Sequence, residues 1–119
     1  MPIDASQADP VRVNSAATTN ALLIRAGKCS VGSLMLSNTG AAVAFVKLYD
    51  KATAPAVGTD VPVLTVPIAA NGMLVVSGAF LGVPFELGLA LSITNLGPDA
   101  DTTAVAAGQV KVMGAIISM

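Results

Sequence analysis

From Leu34 to Ile68 the chain reads LMLSNTGAAVAFVKLYDKATAPAVGTDVPVLTVPI: two alternating apolar runs flank an Asn-Thr-Gly turn, and a proline-interrupted loop leads into a third run. A two-residue period of this kind marks strands with one buried face. The pattern continues in both directions from Ala21. It predicts strands at Leu22–Arg25, Val31–Ser37, Val43–Tyr49, Val63–Ile68, Met73–Val76, Leu87–Thr94 and Val110–Ile117. The separators carry turn chemistry: Ala26-Gly27-Lys28, Asn38-Thr39-Gly40, Ala54-Pro55 through Gly58, Asn71-Gly72, Gly82-Val83-Pro84 and Asn95-Leu96-Gly97-Pro98. No segment sustains a helical period. Short, evenly spaced strands predict an all-β chain, an antiparallel β-sandwich of about seven to eight strands, immunoglobulin-like or jelly-roll-like.

Alternation also assigns faces. Ala44, Val46 and Leu48 form the inward set of the third strand, while Phe45, Lys47 and Tyr49 point outward. Leu34 and Leu36, and Leu89, Leu91 and Ile93, are the matching inward sets, with Ser33, Ser37, Ala90 and Ser92 facing away. The last strand is apolar on both faces, since Val110, Val112 and Ile116 alternate with Met113, Ala115 and Ile117. One of those faces is expected to be covered by another subunit, which makes Met113 and Ile117 candidate interface residues.

Residues 1–20 are small and polar, with Asp4, Asp9 and Pro10, and show no periodicity beyond a short strand at Val11–Val13. They are read as an extended N-terminal arm preceding a sandwich domain at 21–119. Val11 and Val13 would then contact a neighbouring subunit.

Composition adds to this picture. At 119 residues the chain is one domain, long enough to bury a core without staples. Apolar residues make up 54% and charged residues 11%, against roughly 45–50% and about 25% in an average soluble domain. The surface must therefore carry much neutral area suited to close association. A net charge of -1 with scattered Arg and Lys gives no footprint for nucleic acid. The longest uninterrupted apolar run, Ala41–Val46, is far short of the roughly 18 residues of a spanning helix, so no membrane is expected. MPIDASQADP lacks a basic start and an apolar stretch, so the protein is expected to act or assemble where it is made. Cys29, the one cysteine, is read as a buried packing residue.

Chemistry is sparse. With no His, and carboxylates spread over different turns, the chain is not expected to be an enzyme or to hold a cofactor. Asp99 and Asp101 are the one closely spaced acidic pair, a weak calcium candidate set against the simpler reading of turn capping. Phe45 and Tyr49, with Lys47 between them, form a candidate stacking or interface face, for a sugar, a base or a packed neighbour. The glycines occupy separate turns and form no phosphate-binding loop.

Several segments carry a resemblance: Ser15-Ala16-Ala17-Thr18-Thr19-Asn20-Ala21, Ser37-Asn38-Thr39-Gly40-Ala41-Ala42, Val46-Lys47-Leu48-Tyr49-Asp50-Lys51-Ala52, and Pro55 through Pro62. Over Ser15 to Ile117 the chain resembles small virion proteins of tailed bacteriophages, in particular capsid cement or decoration proteins. The resemblance implies a non-enzymatic protein, made in the bacterial host cytoplasm, that binds the major capsid protein on the outer shell of the virion and stabilises it. It also implies a homo-oligomer, with a trimer preferred. The alternatives are a glycan- or receptor-binding sandwich and a head-fibre or tail adaptor.

Overall fold

The computed structural model describes residues 8–77 and 83–118. Within them lie nine strands, all paired antiparallel, in two sheets. They are β1 (Ala8–Asn14), β2 (Leu22–Ala26), β3 (Cys29–Asn38), β4 (Ala44–Asp50), β5 (Leu64–Ile68), β6 (Gly72–Ser77), β7 (Pro84–Phe85), β8 (Gly88–Thr94) and β9 (Val110–Ser118). One sheet, here the front sheet, runs β1-β9-β3-β6 with β7 also paired to β3; the back sheet runs β2-β8-β4-β5.

The order follows from a single folded ribbon. Strands β4 and β5 pair as an inner hairpin, and outward from it β3 pairs β6, β2 pairs β8 and β1 pairs β9. Rolling this ribbon brings β9 beside β3 and β8 beside β4, which closes the two sheets over one core. This is the jelly-roll form of the sandwich, one of the two forms expected. Two irregularities bend the sheets: a register shift between Val31 and Ser33 in β3, and one between Leu23 and Arg25 in β2.

The inward sets are those the alternation assigns. Leu34, Leu36, Ala44, Val46, Leu48, Leu89, Leu91, Ile93, Val110, Val112 and Ile116 are all buried in one cluster with Val31, Ile68 and Phe85. At roughly 25 cal/mol per Å² of apolar area, this aliphatic layer is the main stabilising term. Strands β3 and β9 approach closely at Gly114, where φ is 155°. A Cβ there would run into the Ser33 carbonyl oxygen and lie 2.9 Å from Leu34 Cα, so the β3–β9 contact requires a glycine.

The boundary expected at 20/21 is corrected. Strand β1 pairs with β9 along its whole length, from Ala8–Ile117 to Asn14–Lys111, and Val11 and Val13 are buried core residues. Residues 8–14 therefore belong to the sandwich; the remainder of the expected arm before Ala8, and Gly82 of the expected Gly82–Pro84 turn, lie outside the described residues. The link from β1 to β2 is also built in. Asn20, at φ 54°, accepts from Ala16 N at 2.8 Å and donates through Nδ2 to the Ala16 and Thr18 carbonyls, while Ile93 N donates to Thr19 O at 2.7 Å.

Candidate functional site

The outer face of the back sheet presents Phe45, Lys47 and Tyr49 from β4 and Ala90, Ser92 and Thr94 from β8. It is closed by the chain itself: every residue of β8 is buried, and in β4 only Phe45 and Asp50 keep intermediate exposure. Two loops cover it, 51–63 and 95–109, and they touch: a Cβ on Gly58 would stand 2.8 Å from Thr102 Cγ2. Phe45 packs under the second loop, its ring edge 3.1 Å from where a Gly97 Cβ would be. Tyr49 is 2% exposed, and its hydroxyl shares a hydrogen bond of 3.0 Å with Ser92 Oγ. Its ring is unavailable for stacking, so the candidate platform of Phe45 and Tyr49 is corrected to internal packing.

Lys47 is wholly buried, and its ammonium donates to Pro98 O at 2.7 Å. Burial pulls its pKa below the ordinary lysine range, while the charges of Asp101 and Asp99 oppose that fall. A fixed cation thus already stands beneath the acidic loop. Asp101 is occupied as well, accepting from Thr103 Oγ1 at 2.8 Å, Thr103 N at 3.1 Å and Leu96 N at 3.3 Å. Desolvation works to raise its carboxyl, but these hydrogen bonds and the Lys47 charge together hold it below the usual carboxylate range. Among the described residues no three His, Cys, Asp or Glu side chains gather as metal ligands; Asp101 caps the turn, and Asp99 is exposed beside it.

Other polar groups serve as structural ties. Asn38 is 1% exposed and sits at the end of β3; its Nδ2 reaches the carbonyls of Ala42, Ile68 and Ala69, and its Oδ1 accepts from Gly40 N and Gln109 Nε2. The Asp60 carboxylate accepts from Lys51 Nζ at 2.5 Å and Ala56 N at 2.7 Å, which close the 51–63 loop and draw its pKa down. Cys29 is fully buried, and desolvation pushes its thiol up, away from a nucleophile's range.

The outer face of the front sheet differs: no loop among the described residues has the covering role seen on the back. Across it the register sets Arg12 beside Met113, Met113 beside Met35, and Met35 beside Val75. The adjoining row is Asn14, Lys111, Ser37 and Met73. Met35 is 41% exposed, Val75 60% and Met73 67%. Ser33, Leu34, Met35, Val75, Met113 and Gly114 line a shallow, mainly apolar depression. The basic residues of these two rows, Arg12 and Lys111, lie on β1 and β9, so the β3–β6 half of both rows is uncharged.

Of the six expected interface residues, the structure places Met113 on this face, half-buried, and Ile117 on the same strand opposite Ala8 and Ser30. Val11, Val13 and Tyr49 are interior, and Phe45 lies under the 95–109 loop. Met35, Met73 and Val75, exposed on the same face, were not among the residues expected at an interface. The signal was present: LMLS and GMLVVS place apolar residues on both faces of their strands, as the last strand does. Among the described residues no helix is long and apolar enough to cross a membrane. In comparisons with family models, curated proteins and solved structures, nothing matches this chain.

Proposed function

We propose that this protein is a non-enzymatic structural component of a virion, a cement or decoration protein that binds the major capsid protein at the outer capsid surface and stabilises the shell. The observation that carries the reading is the uncharged, apolar half of the front sheet around Met35, Val75 and Met73. Such a surface can be buried against a neutral partner at little ionic desolvation cost. The jelly roll is in keeping with it, because that architecture recurs in viral capsid domains, although it also occurs in lectins; this support is by analogy of fold. A self-covered back sheet, a buried Cys29 and a carboxylate set tied into turns favour a binding role over a catalytic one. With Tyr49 buried, the glycan platform loses its second ring. The protein would act as a homo-oligomer on the virion, made in the host cytoplasm, and repetition over a shell would add avidity.

The test is quantitative analysis of purified virions. The reading expects the protein at a copy number in fixed proportion to the major capsid protein; virions that form and are washed free of it would overturn the reading.

A further inference from the structure

We infer that the far edge of β6 is a self-association edge, on which a second copy of this chain adds its own β6 to give a two-fold dimer with one continuous front sheet. The inference rests on the proposal that the chain self-associates and not on its attachment to a capsid. It replaces the three-fold arrangement that the resemblance implied.

The edges are unequal. Natural sheets protect exposed edges with proline, charge or bulges, because a free row of N–H and C=O groups recruits other strands. Strand β1 carries Asp9, Pro10 and Arg12; β2 carries Arg25 beside a register shift; β5 carries Pro67; β7 begins at Pro84. Strand β6, GMLVVS, has no proline, no charge and a regular register to β3 from Ser33–Ser77 to Asn38–Gly72. Among the described residues no strand pairs with its other side.

The inner layer is also unfinished there. Leu74 lies on the core side of β6, opposite Leu36 and next in phase to the buried Val76, yet it is 38% exposed. A second β6 would continue that layer with its own Leu74 and Val76.

The chemistry selects a copy of the same chain over a charged partner. An antiparallel pair of identical strands keeps inner faces matched when residues of like parity meet, which centres the dyad on Leu74 or on Val75. Either register sets only Gly, Met, Leu, Val and Ser against one another, so no like-charge pair opposes it. An isologous edge of this kind closes at two copies. Because one six-residue edge is smaller than the roughly 800 Å² per partner of a standard interface, the dimer is expected to be weak, with Kd on the order of micromolar.

The experiment is sedimentation velocity of the full chain over about 1–500 µM, a range chosen to bracket that Kd. The wild type should pass from monomer to dimer. Val75→Lys should weaken association about tenfold or more, since both registers bring the two lysines near each other. Val61→Lys, the same change at a 73% exposed loop position, should leave it unaltered. Mixing Val75→Lys with Val75→Glu should restore it. Hydrogen exchange of the wild type gives a readout that needs no variant: β6 amides should gain protection as concentration rises. A wild type that stays monomeric, a trimer, unchanged association of Val75→Lys, or concentration-independent β6 exchange would each overturn the inference. Capsid attachment is read separately, so either proposal can fail alone.

Discussion

The buried ammonium of Lys47 donates to the carbonyl oxygen of Pro98 at 2.7 Å, which fastens the 95–109 loop over the back sheet. Alternation places Lys47 on an outward face where replacement would be nearly neutral; the covered face reverses that expectation. Lys47→Ala should cost about 2–4 kcal/mol, from the cavity left by the stem and the lost bond to the Pro98 carbonyl, which would keep only its bond from Asp101 N. Lys47→Met, which keeps the stem's volume, should lose less than half as much. Chemical denaturation of the two variants beside wild type checks both values, and Leu48→Ala or Leu91→Ala should cost roughly 2–5 kcal/mol.

Deleting residues 1–14 should abolish cooperative folding or sharply lower Tm. The deletion strips β1 from β9 and removes Val11 and Val13 from the core. A thermal melt followed by circular dichroism reads this directly.

Gly114→Ala should destabilise by on the order of 3 kcal/mol, because the added methyl meets the Ser33 carbonyl and the backbone is at φ 155°. Gly108→Ala, at φ 72° with nothing within 4 Å of its Cβ, should cost only about 1 kcal/mol. The difference in denaturation midpoint separates close approach from backbone strain.

Acid should loosen both covering loops. Asp60 and Asp101 each have a folded pKa below the ordinary carboxylate value of about 3.9. The folded state thus binds fewer protons than the unfolded one at low pH; the stabilisation is fully present above about pH 4–5 and is lost as pH falls through the folded pKa values. Asp60→Asn and Asp101→Asn should flatten the acid limb of a stability–pH profile while leaving its slope near neutrality unchanged.

What was legible in the chain was the core-facing set of strands β3, β4 and β8. Leu34 and Leu36, Ala44 through Leu48, and Leu89 through Ile93 alternate because one face meets the core, and their inward sets are all buried. Strand β1 showed only as a short run at Val11–Val13, because Asp9, Pro10 and Arg12 interrupt its apolar positions, and a strand bonded on one side tolerates all three. Strand β7 spans two residues, too few to show a period. The covered back sheet was illegible for another reason: Gly97-Pro98 reads as an exposed turn, and its closure over Lys47 and Phe45 joins positions some fifty residues apart. The front-sheet face was half legible, through Met113 but not through Met35 and Val75, which only the register brings beside it.

Attachment to a shell through the uncharged front-sheet face, as proposed, can be read by co-sedimentation with capsids lacking the protein. Wild type should pellet saturably, at a fixed ratio to the major capsid protein. Met35→Glu, which puts a charge at the centre of the apolar face on a 41% exposed side chain, should remain in the supernatant while melting like wild type. Equal pelleting of the two proteins, or no pelleting of wild type, would overturn this mode of attachment.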